Sequence, residues 1–234
     1  GGRIARKKIH FVMRFVASNA ATTARHALTP RRRQQRHRAT TTMTIQVFYW
    51  GACKKFWGRG LPIVLALEHS ATKYDVKDRD ELQGDFGFSF AVPIVKYEDG
   101  LSQSQLPSIL DVLGEKVGLH GKDFAEKVAV KQLLLDFEDI MQENFAKPCK
   151  WTEENQRQDK WFSLLEKRLN ANQFLASAEP TVADFHGFMA FELVTSKHGD
   201  IDAAKYPKLA AWWTAMNNLP AAKKVKESGV QVFP

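Results

Sequence analysis

The chain has 234 residues, enough for one large domain or two smaller ones with a real core, and its 44% apolar content is that of a globular protein. The net charge of +8 resides in the first 42 residues, which hold 11 Lys or Arg and no acid, leaving 23 of the 34 basic groups against all 26 acids in the rest, a net of −3. A mildly acidic body argues against nucleic acid as its partner, and no run of about 18 apolar residues offers a membrane span.

The leader ends in "VMRFVASNAATTARHALTPRRRQQRHRATTT" (12–42), rich in Arg, Ala and Thr and without a core pattern. Two readings stand. A basic, acid-free segment suits import into an electrically negative organelle, a mitochondrion or plastid. Alternatively, Met43 opens "MTIQVFYW", where folded-looking sequence begins, and residues 1–42 are a non-native leader on a cytoplasmic protein. A nucleic-acid arm is the weaker third reading, because "RRRQQRHR" has charge but no interleaved aromatics. Cys53 and Cys149 stand far apart, with neither metal-ligand spacing nor a disulfide framework, which points to a reducing compartment.

From Thr44 the elements follow in order. "TIQVFY" (44–49) alternates and is rich in β-formers, so it predicts a strand. "LPIVLALEHS" (61–70) is apolar on more than one face, the pattern of a buried helix. "KYDVK" (73–77) predicts a second strand, and the polar, glycine-bearing stretch 78–90 an irregular loop. "VPIVKYEDGL" (92–101) has the Asp-Gly turn of a hairpin, and a helix follows over 107–117. The order β-α-β, connection, β-β-α is thioredoxin-like, parallel in its first half and antiparallel in its second. After "GLHGKD" (118–123) only helices are expected: Val130, Leu134, Phe137 and Met141 recur at helical spacing. Thr152 is a candidate N-cap ahead of two glutamates. Thr181 is another, with Asp184 three residues on to answer its backbone N–H, which gives Asp184 a folding role.

Five separate stretches carry a resemblance. "YW" with a downstream "RGL" (49–50, 59–61) resembles the start of the tyrosine-type mu, sigma and pi glutathione transferases. "AVPIVKYEDG" resembles the segment bearing that family's cis-proline, and "SILDVLGEKVGLHGKD" the helix and linker that close its first domain. "FLASAEPTVADF" resembles its capping-box helix, and "YPKLAAWWTAMNNLPAAKKVKESG" its C-terminal helices. The resemblance covers about 45–234 and implies a thioredoxin-like α/β domain at 43–117, a linker at 118–123 and an all-α helical bundle at 124–234. It further implies a homodimer that binds glutathione as cosubstrate and directs its thiolate at a small apolar electrophile.

On that resemblance Tyr49, at the end of the first strand, is the catalytic hydroxyl that stabilises the thiolate. Val92-Pro93, expected to be cis, presents an edge along which an extended tripeptide pairs as an added strand. The helix beyond aims its N-terminal amides at the γ-glutamyl carboxylate. Gln103 and Ser104 match the family's Gln-Ser pair, with Ser104 also the expected cap; counting from Asp99-Gly100 gives Gln105 and Leu106 instead. Trp50 and Trp57 are pocket or packing aromatics, and Arg59 reaches either a glutathione carboxylate or a salt-bridge partner. Two departures stand out: four extra residues between Tyr49 and "RGL", and no Trp-Lys pair in 78–90. They keep two alternatives open, a cysteine-type thiol transferase using Cys53 at a helix start, and a non-catalytic binding or scaffold protein of the same fold.

Overall fold

A computed structural model describes residues 44–169 and 171–234; the leader 1–42 and Met43 lie outside the described residues. Among the described residues, four strands and seven α-helices follow one another. They are β1 (Ile45–Tyr49), α1 (Leu61–His69), β2 (Tyr74–Asp78), β3 (Ile94–Lys96), β4 (Ser102–Ser104), α2 (Leu106–Val117), α3 (Phe124–Phe145), α4 (Arg157–Arg168), α5 (Val182–His198), α6 (Pro207–Asn218) and α7 (Pro220–Glu227).

The sheet runs β2-β1-β3-β4. β1 pairs parallel with β2 and antiparallel with β3, and β3 pairs antiparallel with β4. A parallel pair needs a crossover, and α1 supplies it. Every residue of α1 from Leu61 to Leu67 is buried, as its all-round apolar sequence requires. The helix packs on α5, α2 and α7 and shares one core with Ile45, Val47 and Val95 of the sheet. The Asp-Gly turn forms as expected: Asp99 Oδ1 accepts the Leu101 N–H at 3.0 Å, and Gly100 takes φ 88°.

Gly118 ends α2 in the left-handed conformation, and the Asp123 carboxylate caps α3 by accepting the Glu126 N–H at 2.9 Å. α3 buries Val130, Leu134, Phe137 and Met141 as their spacing predicts, and packs on α5. Gly187 permits that contact, since a Cβ there would lie 2.6 Å from the Phe137 ring. At the start of α5, Asp184 Oδ2 accepts the Thr181 N–H and hydroxyl, both at 2.8 Å. Its Oδ1 accepts Leu175 N–H at 3.0 Å and Trp212 Nε1–H at 2.9 Å, tying α5 to α6. Burial pushes this carboxyl upward against the pull of four donors.

Two expected caps are corrected. α4 begins five residues after Thr152, with Gln156 at its cap; the Thr152 hydroxyl instead accepts the Asn155 N–H at 3.3 Å and closes a preceding turn. Ser104 does not cap α2, because it lies in β4 opposite Ile94, and Gln105 occupies the cap position. In both places a polar pattern was satisfied by a local turn or ladder before the helix began.

Candidate active site at the end of the first strand

Tyr49 closes β1, and the chain then makes an unusual exit. Gly51, Ala52 and Cys53 take φ of 54°, 50° and 60° in succession, and two of the three carry side chains for which this region is unfavourable. A second turn over 58–60 leads into α1. The two turns wrap the Tyr49 ring, which is 5% exposed and meets Phe56 edge-on at 5.8 Å. The phenol oxygen accepts the Arg59 N–H at 2.9 Å. Gly58 is required there: a Cβ on it would lie 2.4 Å from the hydroxyl.

This geometry leaves the Tyr49 proton free to be donated, since the amide already occupies a lone pair of its oxygen. Burial raises the phenol above its ordinary value; the Arg59 amide opposes the rise and Cys53 adds to it. The group is therefore protonated at neutral pH. A neutral donor polarised by an amide is what a thiolate needs beside it.

The register brings the cis-proline to the same place. Phe48 pairs with Ile94, so one step further Tyr49 comes level with Pro93, and the Val92-Pro93 bond is cis. Trp50, 43% exposed, lies beyond, with the Arg79 guanidinium stacked 3.6 Å from its ring centroid.

Arg59 contributes more than its amide. Its guanidinium grips Glu138 on α3, with both Nη atoms 2.8 Å from Oε1 and Nη1 3.1 Å from Oε2. Burial raises Glu138, but bonds from Gln142 and Arg59 outweigh it and hold the carboxyl below its ordinary value. The salt bridge is one of the two roles expected of the Arg59 side chain. Glu138 escaped sequence reasoning because it stands 79 residues away on a helix face with nothing to mark it.

Glu138 also lines a cleft of about 510 Å³ between the start of α2 and α3, with Gln105, Pro107, Ser108, Asp111, Lys131 and leucines of α3. The cleft's lining does not include Tyr49, Val92 or Pro93. Gln105 opens it with an unusual backbone, φ 69° and ψ 105°. Gln103 is turned to other partners: its Oε1 accepts the Tyr97 hydroxyl at 2.7 Å, and its Nε2 donates to Ser108 O and Oγ at 2.8 Å. Ser104 shares β4 with it, while Leu106, the first residue of α2, is buried.

Cys53 lacks the setting of an activated thiol. It is 2% exposed, and burial pushes it up to about 12, the reverse of the depressed value a nucleophilic cysteine needs. Among the described residues no group of three or more His, Cys, Asp and Glu could hold a metal, and no helix is long and apolar enough to cross a membrane.

A family model described as the C-terminal domain of glutathione S-transferase matches residues 140–220. The chain is 28% identical over 167 residues to glutathione S-transferase alpha-4 of Rattus norvegicus, covering 66% of this chain and 74% of that one. It is 27% identical over 170 residues to a glutathione S-transferase of Gallus gallus, covering 68% and 76%. Among solved structures, prostaglandin synthase D of Nilaparvata lugens superposes with a TM-score of 0.60 at 21% identity, covering 79% of this chain and 98% of that one. Ure2p in complex with glutathione does so with 0.59 at 16% identity, covering 78% and 98%. A four-stranded mixed sheet followed, among the described residues, by helices alone, together with the matched C-terminal helices and these relatives, supports the glutathione transferase superfamily.

Proposed function

We propose that the protein is a tyrosine-type glutathione transferase, in which Tyr49 donates its hydroxyl hydrogen to the sulfur of bound glutathione. The observation that carries this reading is the Arg59 N–H on the Tyr49 oxygen, at a strand end one residue beyond the Phe48–Ile94 pair. Glutathione would pair with the backbone before Pro93, its thiol delivered to the strand end. The amides opening α2 and the Gln105 side chain would take the γ-glutamyl carboxylate; of the two registers, Gln105 with Leu106 fits the helix start better than Gln103 with Ser104. Arg79, stacked on Trp50, is a cation for the glycyl carboxylate that needs no Trp-Lys pair in 78–90.

A free thiol has a pKa near ~8.5, and lowering it by ~2 units requires roughly 2.7 kcal/mol of differential stabilisation, within reach of a charge-assisted hydrogen bond and nearby amides. The thiolate then attacks an electrophilic carbon of an apolar cosubstrate; the C–S bond forms as the leaving group departs with its electron pair, and the thiol proton passes to solvent. Proximity supplies the rest. We place the glutathione-binding domain at 43–117, the linker at 118–123 and the helical domain at 124–234, and expect a homodimer working in the cytoplasm, or in an organelle if the leader is a presequence.

The test is the ultraviolet difference spectrum of bound glutathione with wild type and Tyr49→Phe. A thiolate band in the first and none in the second is expected; equal bands would remove Tyr49 from the mechanism. One observation favours a second reading, binding without turnover: Leu106 brings no hydroxyl to the start of α2, and Gln103 is bonded within the protein. Failure of wild type to bind immobilised glutathione would select that reading.

A further inference from the structure

Residues 57–59 form a turn whose three successive N–H groups all meet oxygens. Trp57 is right-handed (φ −80°, ψ −43°) and Gly58 left-handed (φ 43°), an alternation that gathers neighbouring amides into one concavity. Trp57 N–H donates to the Gln231 carbonyl at 2.9 Å, and Gly58 N–H to the Val232 carbonyl at 2.7 Å. Arg59 N–H donates to the Tyr49 hydroxyl at 2.9 Å. Two positions of the concavity are thus filled by the segment after α7, and the third by the phenol.

The segment is anchored where it can do this. Gly229, at φ 68°, turns the chain off α7, and Val232 and Phe233 pack against the main core. The Phe233 ring meets Phe145, the last residue of α3, edge-on at 5.6 Å. α3 also carries Glu138, so Arg59 is gripped from two sides by structure that leads back to one helix. The four residues by which the loop exceeds the family pattern explain why it needs an outside support, since Trp57 and Gly58 spend their amides on no other part of the loop.

Resting on the tyrosine reading above, we propose that Gln231 and Val232 are positioning residues for Tyr49, their carbonyls holding the 57–58 peptides so that the Arg59 amide stays aimed at the phenol. A segment that only covered apolar surface could do so with side chains. Here the pairing is backbone to backbone, on the two amides adjoining the one that matters.

The experiment compares the full chain, a chain lacking residues 230–234, Phe233→Ala and Phe233→Leu, each with and without Tyr49→Phe. Tyrosinate absorbance against pH, as the difference within each pair, isolates the Tyr49 titration among the four tyrosines. The charged and ionisable groups around Tyr49 are Cys53, Arg59 with its partner Glu138, and Asp78 opposite it on β2, and the variants alter none of them. Loss of the aligned amide is expected to raise the Tyr49 midpoint by about one unit in the shortened chain, a tenfold change in ionisation. Phe233→Ala should show part of the rise and Phe233→Leu little. If the shortened chain does not fold by thermal unfolding, the Phe233 pair decides. An unmoved midpoint overturns the proposal, as does a fall, which would mean that the segment only excludes water. The thiolate band of bound glutathione is read on the same proteins. A moved midpoint with no band anywhere leaves the positioning role standing and removes the transferase reading; a band in the full chain with an unmoved midpoint does the reverse.

Discussion

Gly58→Ala perturbs the seat of the phenol while leaving Tyr49 itself unsubstituted. The new methyl would lie 2.4 Å from the Tyr49 oxygen and 3.0 Å from the Phe56 ring, on a backbone at φ 43°. The left-handed conformation alone costs a residue with a Cβ roughly 1–2 kcal/mol. Forcing a methyl into a filled site adds roughly 1–3 kcal/mol. The sum is about 2–5 kcal/mol, and for a chain of this size that lowers Tm by on the order of 10 °C. In a Tyr49→Phe background the oxygen is gone while the backbone strain and the Phe56 contact remain, so Gly58→Ala should cost less there by about 1–2 kcal/mol. Urea unfolding of wild type, both single variants and the double variant measures this coupling. Additivity within about 0.5 kcal/mol would show that the hydroxyl does not sit against residue 58, and the account of Tyr49 would fall with it. The same displacement should return the bound thiol toward its free value near ~8.5.

Three further outcomes are expected. Asp184→Ala orphans four buried donors, on Leu175, Trp212 and twice on Thr181, and should cost about 3–5 kcal/mol in urea unfolding; a loss under about 1 kcal/mol would contradict the role given to it. Cys53, buried and pushed up to about 12, should resist alkylation at neutral pH in native protein while half-buried Cys149 reacts, and Cys53→Ala should keep conjugation; turnover lost with that change would revive the cysteine mechanism. His186 is fully buried, and burial pushes it down to about 4. Its folded value lies below the unfolded one near ~6.5, so the unfolded chain takes up the proton first. Stability on this account is full above ~6.5 and falls by roughly 3 kcal/mol as pH drops to ~4. His186→Met should flatten that part of the pH–stability curve, and an unchanged slope would assign it to other groups.

What could be read from the sequence is what depends on neighbours along the chain. The alternation of 44–49 and the all-apolar stretch 61–67 specify β1 and a buried α1, because each pattern is satisfied by one local period. Asp99-Gly100 specifies its turn for the same reason, and Thr181 with Asp184 are three residues apart. The two misplaced caps show the limit of such signals. Thr152 and Ser104 are both suitable types beside a helix, yet a hydroxyl serves a turn or a strand as readily, and composition cannot say which arrives first. Tyr49 at a strand end was legible, but its partners were not. Glu138 meets Arg59 across the fold, and the Gln231 and Val232 carbonyls meet Trp57 and Gly58 through backbone atoms that every residue type possesses. No residue identity could have announced them.

Arg59 shows why such a site tolerates a lengthened loop. A phenol at a strand end needs one well-aimed amide, and a loop with four extra residues has more ways to aim it wrongly. Three distinct constraints act on that single residue. Its guanidinium is held by Glu138, its amide neighbours by the Gln231 and Val232 carbonyls, and its N-terminal neighbour must be glycine to clear the hydroxyl. Each removes a different freedom: side-chain direction, peptide orientation and approach distance. Glu138→Gln should therefore weaken thiolate stabilisation less than Gly58→Ala, because it frees the side chain while the amide stays held. Bound-thiol titrations of the two variants side by side give the ranking. If Glu138→Gln moved the thiol value as far as Gly58→Ala does, charge at the guanidinium rather than direction at the amide would govern the site.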